Sequence, residues 1–253
     1  MNPVKKFAYE YIIPILGSVF RFKNQFVNVI YYHDIVKEGG NSFMKTNIDI
    51  FKRQMEYIAA KGYETLRFDD LHDEQKVKHG SKKVIIAFDD GWLSNYTEIY
   101  EMMKSLGLKY NIYLTIGEIG ANPEYLTWEL VRKMHSEVLV GLGIHTFTHS
   151  DMSDLSKVDV SLEFNKADEV FESELGYKPV DFCYPFGKYS ESSNEYISSN
   201  LGYQRIYTSR LMYSYIQNGK IIFGRNSINN EEPFRVFKAK LNGYYNIWRN
   251  LIG

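Results

Sequence analysis

The sequence predicts an α/β protein in which parallel strands alternate with helices to form a barrel. Two observations support this prediction. Short apolar runs alternate along the 253 residues with longer amphipathic segments, which is typical of strand–helix units rather than of a β-sandwich. Polar residues also follow several predicted strands directly, at the carboxyl ends where strand–helix barrels carry their functional sites.

Eight short apolar runs are predicted as strands. The clearest of them extends from Val84 to Phe88 without a polar interruption, as expected for a strand that is buried on both faces. The predicted strands cover residues 26–32, 63–66, 83–88, 110–115, 138–144, 181–184, 204–207 and 220–223.

Seven amphipathic segments between these strands are predicted as helices. Phe51, Met55 and Ile58 recur at helical spacing in the first of them. Thr127 is a suitable N-cap for the fourth helix, and Pro233 is favourable in the first turn of the last. The predicted helices cover residues 49–61, 69–77, 94–106, 127–135, 156–175, 190–200 and 233–248.

The composition narrows the classes of function. A net charge of −1 provides no overall basic field, so a nucleic-acid partner is not expected. The single cysteine, Cys183, excludes an intramolecular disulfide and a thiolate zinc cluster. The 21 tyrosines and 16 phenylalanines have two interpretations, namely ordinary core filling or an aromatic groove for sugar rings.

The first 25 residues are expected to form a separate N-terminal segment, with one domain spanning 26–253. Lys5 and Lys6 precede a mostly apolar run from Phe7 to Phe20, which Glu10 and Pro14 interrupt and which is too short to span a bilayer as a helix. Two interpretations stay open: an amphipathic helix on a membrane surface, or a helix packed on its own domain. A secreted or periplasmic protein is not favoured, so the expected location is the cytoplasm, including the inner surface of the membrane.

Two adjacent carboxylates end the apolar strand at 83–88. Asp89 and Asp90 are followed by Gly91, so an ordinary turn is one interpretation. The other is a hydrolytic site, in which one carboxylate binds a metal ion and the other accepts a proton from water.

A pair of histidines follows the predicted strand at 138–144. His145 and His149 have the i, i+4 spacing of metal ligands on a helical turn, although surface histidines are the alternative. Together with Asp90 they would form a three-ligand set with a position open for water or substrate. Imidazole ligands favour zinc and its neighbours among the transition metals.

Three further residues complete the candidate site. His33 follows a strand end and could donate a proton to a leaving amine. The turn from Tyr184 to Gly187 could present a backbone N–H to a developing oxyanion, although it is equally consistent with a simple turn. Arg225, after a late strand, could pair with Asp89 or serve the structure alone.

At these residues the chain resembles the polysaccharide deacetylase family, also known as the NodB-homology family or carbohydrate esterase family 4. The resemblance extends from about Val27 to Phe223. The segment 87–91, Ala-Phe-Asp-Asp-Gly, is similar to the first family motif, which implies that Asp89 is the catalytic base and Asp90 a metal ligand. The segment 145–149, His-Thr-Phe-Thr-His, matches the second motif, which implies two metal-binding histidines. The implied fold is an irregular (β/α)7 barrel.

The third family motif is only partly present. At 183–186 the chain has Cys-Tyr-Pro-Phe where the family has Arg-x-Pro-Tyr, so the arginine that orients the base is missing and Arg225 is the candidate replacement. The resemblance implies an oxyanion donor in the backbone of Phe186. Substrate contacts are expected from Tyr184, Pro185, Phe186 and Trp92.

The late Leu-x-His motif that supplies the family's catalytic acid is also missing. Its replacement would be His33 in the segment 31–35, Tyr-Tyr-His-Asp-Ile, which resembles the circularly permuted subgroup that deacetylates poly-N-acetylglucosamine.

The resemblance implies a metal-dependent hydrolase that removes acetyl from an N-acetylated glycan or glycolipid, such as a precursor of a surface polysaccharide. The expected metal is zinc, with cobalt or nickel as alternatives. Two other functions stay open at this point. One is an amidohydrolase that acts on a non-sugar amide, and the other is a non-catalytic carbohydrate-binding relative.

Overall fold

A computed structural model of the chain describes residues 2–20, 26–39, 44–72, 82–209 and 214–247. The strands are β1 Asn28–Tyr32, β2 Asp34–Val36, β3 Lys45–Asn47, β4 Glu64–Thr65, β5 Lys83–Phe88, β6 Tyr110–Leu114, β7 Val140–Ile144, β8 Asp181–Cys183, β9 Arg205–Thr208, β10 Tyr215–Gln217, β11 Lys220–Gly224 and β12 Asn226–Ser227. At the centre is a sheet with the strand order β10-β11-β9-β8-β7-β6-β5-β1-β12, and β4 pairs with β5 beside this path. The pairs in this sheet are parallel except β10 with β11.

Helices lie between most of the parallel strands and cover the outside of the sheet. They are α1 Pro3–Phe7, α2 Ile13–Phe20, α3 Ile48–Ala60, α4 Ser94–Thr97, α5 Tyr100–Leu106, α6 Trp128–Ser136, α7 Lys157–Leu175, α8 Glu191–Asn200 and α9 Phe234–Leu241. A π-helical turn, Ala8–Ile12, makes α1 and α2 continuous. Short 3₁₀ helices span Phe68–His72, Pro185–Gly187 and Tyr244–Ile247.

The sheet closes on itself through a strand that is split at one residue. β11 pairs with β9 at one end of the sheet, and β12 pairs with β1 at the other. Only Arg225 separates β11 from β12, so one run of chain borders both ends. The ring β1-β5-β6-β7-β8-β9-β11/β12 has seven parallel members, which confirms the predicted irregular (β/α)7 barrel.

Side chains alternate between the inside and the outside of the barrel. In β5, Ile85 and Ala87 belong to the inner apolar cluster, whereas Val84, Ile86 and Phe88 pack under the helices. Large residues fill the interior, so small ones are needed opposite them. A Cβ on Gly143 of β7 would lie 2.9 Å from the ring of Tyr113. The interior is therefore a packed core, and the site lies at its end.

The predicted elements agree with the structure in order, with differences in detail. The helix predicted at 94–106 is two helices, and the one predicted at 233–248 ends at Leu241 before a 3₁₀ turn. Of the helix predicted at 69–77, the described part is 3₁₀ helix, and its end, like Trp248, lies outside the described residues. β2, β3, β10 and β12 were not predicted, because they are two or three residues long and carry little apolar pattern.

Residues 3–20 of the N-terminal segment form a helix that packs on the barrel domain. Ile13 is buried against α9, and the hydroxyl of Tyr9 donates a 2.6 Å hydrogen bond to Glu232. Glu10 forms a 2.7 Å ion pair with Arg235. The contact with its own domain, one of the two interpretations of this segment, is therefore present. Among the described helices, none has the length and hydropathy needed to cross a bilayer.

Candidate active site

A cavity of about 310 Å³ lies at the carboxyl ends of the barrel strands. It collects catalytic and ligand candidates that are far apart in the sequence, from the ends of β1, β5 and β7 and from the turn after β8. This is the end at which strand–helix barrels place their chemistry. The residues that line it are Tyr31, His33, Met44, Asp89, His145, His149, Phe186 and Ser209.

Asp89 lies directly after β5 and is buried beside Arg225. The guanidinium donates two hydrogen bonds to the carboxylate, from Nη1 to Oδ1 at 2.6 Å and from Nη2 to Oδ2 at 2.8 Å. Burial alone would raise the pKa of Asp89, but Arg225, with smaller contributions from His145 and His33, holds this pKa below its ordinary value. Asp89 is therefore an ionised carboxylate with a fixed orientation.

His33 follows β1 and faces the same carboxylate. Its Nε2 lies 3.8 Å from Oδ2 of Asp89, and its ring packs against Tyr31 with the ring centres 5.6 Å apart. Asp89 and His33 thus offer a proton acceptor and a proton donor on one wall of the cavity.

Asp90, His145 and His149 form a compact group of candidate ligands. Oδ1 of Asp90 lies 3.7 Å from Nε2 of His145 and 3.3 Å from Nε2 of His149. The Nδ1 atom of His145 is 2.8 Å from the carbonyl oxygen of Cys183, so Nδ1 carries the proton and Nε2 is left as a lone-pair donor. Burial lowers the pKa of His145 to about 4, which keeps the imidazole neutral.

These residues fit a divalent transition metal. Oδ1 of Asp90 is a buried oxygen without a hydrogen-bond partner, and it points at two imidazole nitrogens. Such a donor set of one carboxylate and two imidazoles suits zinc and its neighbours. A second group, Asp89, His145 and Cys183, fits less well. Burial raises the pKa of the Cys183 thiol well above its usual range, and Arg225 already occupies Asp89.

The backbone at the site is strained. Six non-glycine residues of the described chain have positive φ, and Asp90, Thr146, His149 and Phe186 are four of them. A conformation of this kind costs about 1–3 kcal/mol per residue and is retained where the surroundings enforce it. The i, i+4 spacing of His145 and His149 is met here in a loop instead of on a helical turn, and the left-handed residues of this loop bring both imidazoles to Asp90.

Glu163 of α7 holds this loop in place. Its carboxylate accepts hydrogen bonds from the backbone N–H of Phe147 at 3.1 Å and of Thr148 at 2.9 Å, and from the Thr148 hydroxyl at 2.8 Å. The role of Glu163 was not predicted, because its position in an amphipathic helix resembles that of any solvated glutamate.

The four residues predicted to contact the substrate do not all line the cavity. Phe186 lines the cavity, is 62% exposed, and packs edge-on against His149. The side chain of Tyr184 is fully buried and donates to Asn194, and Pro185 is buried too, so both are packing residues rather than cavity residues. Trp92 donates from Nε1 to Oδ2 of Asp90 at 2.9 Å, so its contact is with the ligand group instead of the cavity.

Three cavity residues were not predicted from the sequence. Tyr31 lies two residues before His33, so strand alternation could have placed both on one face. Its ring lies 4.1 Å from the Arg225 guanidinium carbon, and its hydroxyl is hydrogen-bonded to Ser209. Met44 and Ser209 come from connections without a chemical motif, and only the folded chain reveals them.

Comparisons with known proteins agree with this geometry. Residues 76–206 match the sequence model of the polysaccharide deacetylase family. The protein YxkH of Bacillus subtilis (strain 168), to which a polysaccharide deacetylase function has been ascribed, is 28% identical over 178 residues. That match covers 70% of this chain and 62% of YxkH, so the chain spans less than two thirds of this relative's length.

Two solved structures share the fold. The Streptococcus pyogenes deacetylase PplD, solved in complex with acetate, superposes with a TM-score of 0.75 at 20% identity, over 85% of this chain and 98% of PplD. IcaB from Ammonifex degensii superposes with a TM-score of 0.73 at 19% identity, over 87% and 98% of the two chains. The barrel, the arrangement of acids and histidines at its carboxyl end, and the family match over half the sequence lead to one conclusion: the chain belongs to the polysaccharide deacetylase family.

Proposed function

We propose that this protein is a metal-dependent N-deacetylase that hydrolyses the acetamido group of an N-acetylated glycan to a free amine and acetate. The observation that carries the proposal is the ionised Asp89, which Arg225 orients beside the ligand group of Asp90, His145 and His149. A base fixed next to a site for a Lewis acid is the arrangement that amide hydrolysis requires.

Asp90, His145 and His149 would hold the metal ion, with zinc as the first candidate and cobalt or nickel as alternatives. When bound, a divalent ion would supply polarisation of the acetyl carbonyl and a lower pKa for water. Trp92 and the Cys183 carbonyl would orient Asp90 and His145 for this task, because each fixes the atom of the ligand that does not face the site.

The remaining steps belong to the side chains. Asp89 would accept a proton from the attacking water as its oxygen bonds to the carbonyl carbon. The backbone N–H of Phe186 would donate to the resulting oxyanion. His33 would then protonate the amine nitrogen while the C–N bond breaks, which releases acetate and the amine. The 3.8 Å separation between His33 and Asp89 allows both groups to reach one acetamido group.

Acetate release from a panel of N-acetylated glucosamine oligomers, with and without a chelator, tests the proposal. Activity that the chelator abolishes and zinc restores is expected, together with loss of activity in Asp89→Asn with its metal retained. Full turnover by Asp89→Asn, or by the metal-free protein, would contradict it. A small ureide in the panel distinguishes glycan deacetylation from hydrolysis of a non-sugar amide.

The membership in the circularly permuted subgroup remains part of the proposal. It is supported by the position of His33, which reaches the cavity from the first barrel strand instead of from a late motif. A His33→Gln variant should lose acetate release from oligomers while it retains bound zinc.

A further inference from the structure

The outward face of the N-terminal helix is apolar and exposed. Val4 is 76% exposed, Phe7 58% and Ile15 60%, and Tyr11, Ile12 and Leu16 are also exposed. Six of the eleven large exposed hydrophobic residues in the described chain are thus on this single helix. Residues 4, 7, 11 and 15 follow helical spacing, so they form one continuous stripe along it. A continuous patch of exposed apolar side chains on a protein surface is typical of an interaction site.

The packing of the helix on its own domain does not account for this stripe. The buried contacts come from the opposite face, where Ile13 is buried and Tyr9 binds Glu232. The stripe meets the domain at its edge, where the Arg235 guanidinium lies 3.8 Å from the centre of the Tyr11 ring. Gly17 lies on that inner face too, and a Cβ there would come within 2.4 Å of the Tyr244 ring. These contacts fix the rotation of the helix on its domain, so the apolar stripe faces outward.

Positive charge surrounds the stripe. Lys5 and Lys6 lie in the first turns of the helix and are exposed. The one acidic residue of the helix, Glu10, is neutralised by Arg235 at 2.7 Å and approached by Lys6 at 3.9 Å. Beside the helix, a groove of about 370 Å³ has both apolar and basic walls, formed by Tyr11, Ile15, Tyr57, Arg235 and Lys238 among others.

We propose that this face binds the surface of a membrane that contains anionic lipid, with the helix lying in the plane of the interface. Apolar side chains flanked by lysines are typical of helices that insert about 5–10 Å into the headgroup region of a membrane. A second copy of the chain is a poorer occupant. The stripe is one helix wide, so it is small beside the roughly 800 Å² per partner of a stable interface.

The placement of the helix gives this contact a role. Its first hydrogen bond to the domain is made by Tyr9 to Glu232, a residue that follows β12 at the carboxyl end of the barrel. Pro3–Phe7 bury no side chain, so Lys5, Lys6 and Phe7 extend beyond this contact on the catalytic side. A bound membrane would hold the cavity near the interface. This suits a lipid-carried glycan, an extension that rests on the proposed deacetylase function.

Sedimentation with vesicles tests the binding. The intact chain is mixed with vesicles of phosphatidylcholine that contain about 30 mol% of the anionic lipid phosphatidylglycerol, or with vesicles of phosphatidylcholine alone. Strong binding to the anionic vesicles is expected. Phe7→Ser combined with Ile15→Ser should weaken binding at least about tenfold, and Lys5→Glu with Lys6→Glu should weaken it about fivefold or more. Val158→Ser with Leu162→Ser, a pair equally exposed on α7, is the matched control and should bind normally.

A dye experiment reports the orientation. Because Cys183 is buried, Phe7→Cys can be labelled with an environment-sensitive dye, and the dye should shift to the blue with anionic vesicles while the same dye at Val158→Cys does not. Failure of the unmodified chain to sediment, or equal loss in the α7 control, would overturn the proposal. So would a stripe-dependent dimer without vesicle binding. Acetate release from soluble oligomers by the helix variants is measured in parallel, so failure here is distinct from failure of the proposed activity.

Discussion

Removal of Arg225 should damage the fold and the reaction together. Arg225 donates two hydrogen bonds to Asp89, at 2.6 and 2.8 Å, and both residues are buried. Removal of one partner from a buried ion pair destabilises the folded state by about 3–5 kcal/mol, because the remaining charge is buried without compensation. Arg225→Met should therefore lower the free energy of unfolding by about this amount. Arg225→Lys keeps the charge and loses the forked donor, so it should cost about 1.5–3 kcal/mol, the value of one charge-assisted hydrogen bond.

The same change should remove most of the catalysis by the base. A positioned general base contributes about 10²–10⁴-fold to rate. We therefore expect at least a 100-fold fall in kcat/KM for acetate release from N-acetylated oligomers by Arg225→Met. In an Asp89→Asn background the same substitution should lower neither the stability nor the rate further, because the carboxylate to be paired is gone. It should recover part of the stability, since it removes a buried guanidinium that has lost its partner.

Arg205 provides the matched control. It holds Asp181 with two hydrogen bonds, at 2.6 and 2.7 Å, and both residues are buried. That pair lies where β8 and β9 begin, at the end of the barrel opposite the cavity. Arg205→Met should lose similar stability in urea unfolding and keep its activity per folded molecule. Additive effects of Arg225→Met and Asp89→Asn, or equal inactivation by Arg205→Met, would refute the reasoning.

Four further predictions follow from other contacts. Glu163→Ala should weaken zinc affinity about 10–100-fold in competition with a chelator, because the ligand loop loses three hydrogen bonds, and Glu163→Gln should lose less. Trp92→Phe should weaken the zinc affinity several-fold, because the hydrogen bond to Asp90 is lost while the ring stacked on Tyr125 is kept, and an unchanged zinc affinity would contradict this prediction. Burial raises the pKa of Asp168 to about 6, above its unfolded value of 3.8, so the folded state binds the extra proton and stability falls as the pH rises from about 4 to 6. Urea unfolding should show a fall of about 1–2 kcal/mol that Asp168→Asn lacks. The cytoplasmic location expected from the sequence stays a prediction, and fractionation of cells tests it.

The sequence predicts those parts of the fold that local patterns encode. β5 is apolar along its whole length, and α7 begins at the cap Ser156 and ends at the left-handed Gly176, so their bounds agree closely with the structure. β12 has only Asn226 and Ser227, and it is a strand solely because it pairs with β1. A partner so distant in sequence leaves no signal in a local window.

In the candidate site too, residues in short motifs could be predicted, whereas residues that act through long-range contacts could not. Asp89, Asp90, His145 and His149 are recognisable because their chemistry is concentrated in short motifs. The pairing of Arg225 with Asp89 was one of two open alternatives, since it depends on where the barrel closes. Glu163 and Ser209 act through contacts that only the fold creates, so residue type and spacing carry no trace of their roles.

The split strand that closes the barrel also has a consequence for the order in which the protein matures. Ile30 pairs with Asn226, so the ring can be completed only after the chain has been synthesised past Asn226. Until then Asp89 lacks the Arg225 guanidinium, although Asp89 itself and all three candidate ligands have already been synthesised. Assembly of the candidate site therefore depends on a long-range step of folding, and a nascent chain should lack an oriented Asp89 until that seam forms.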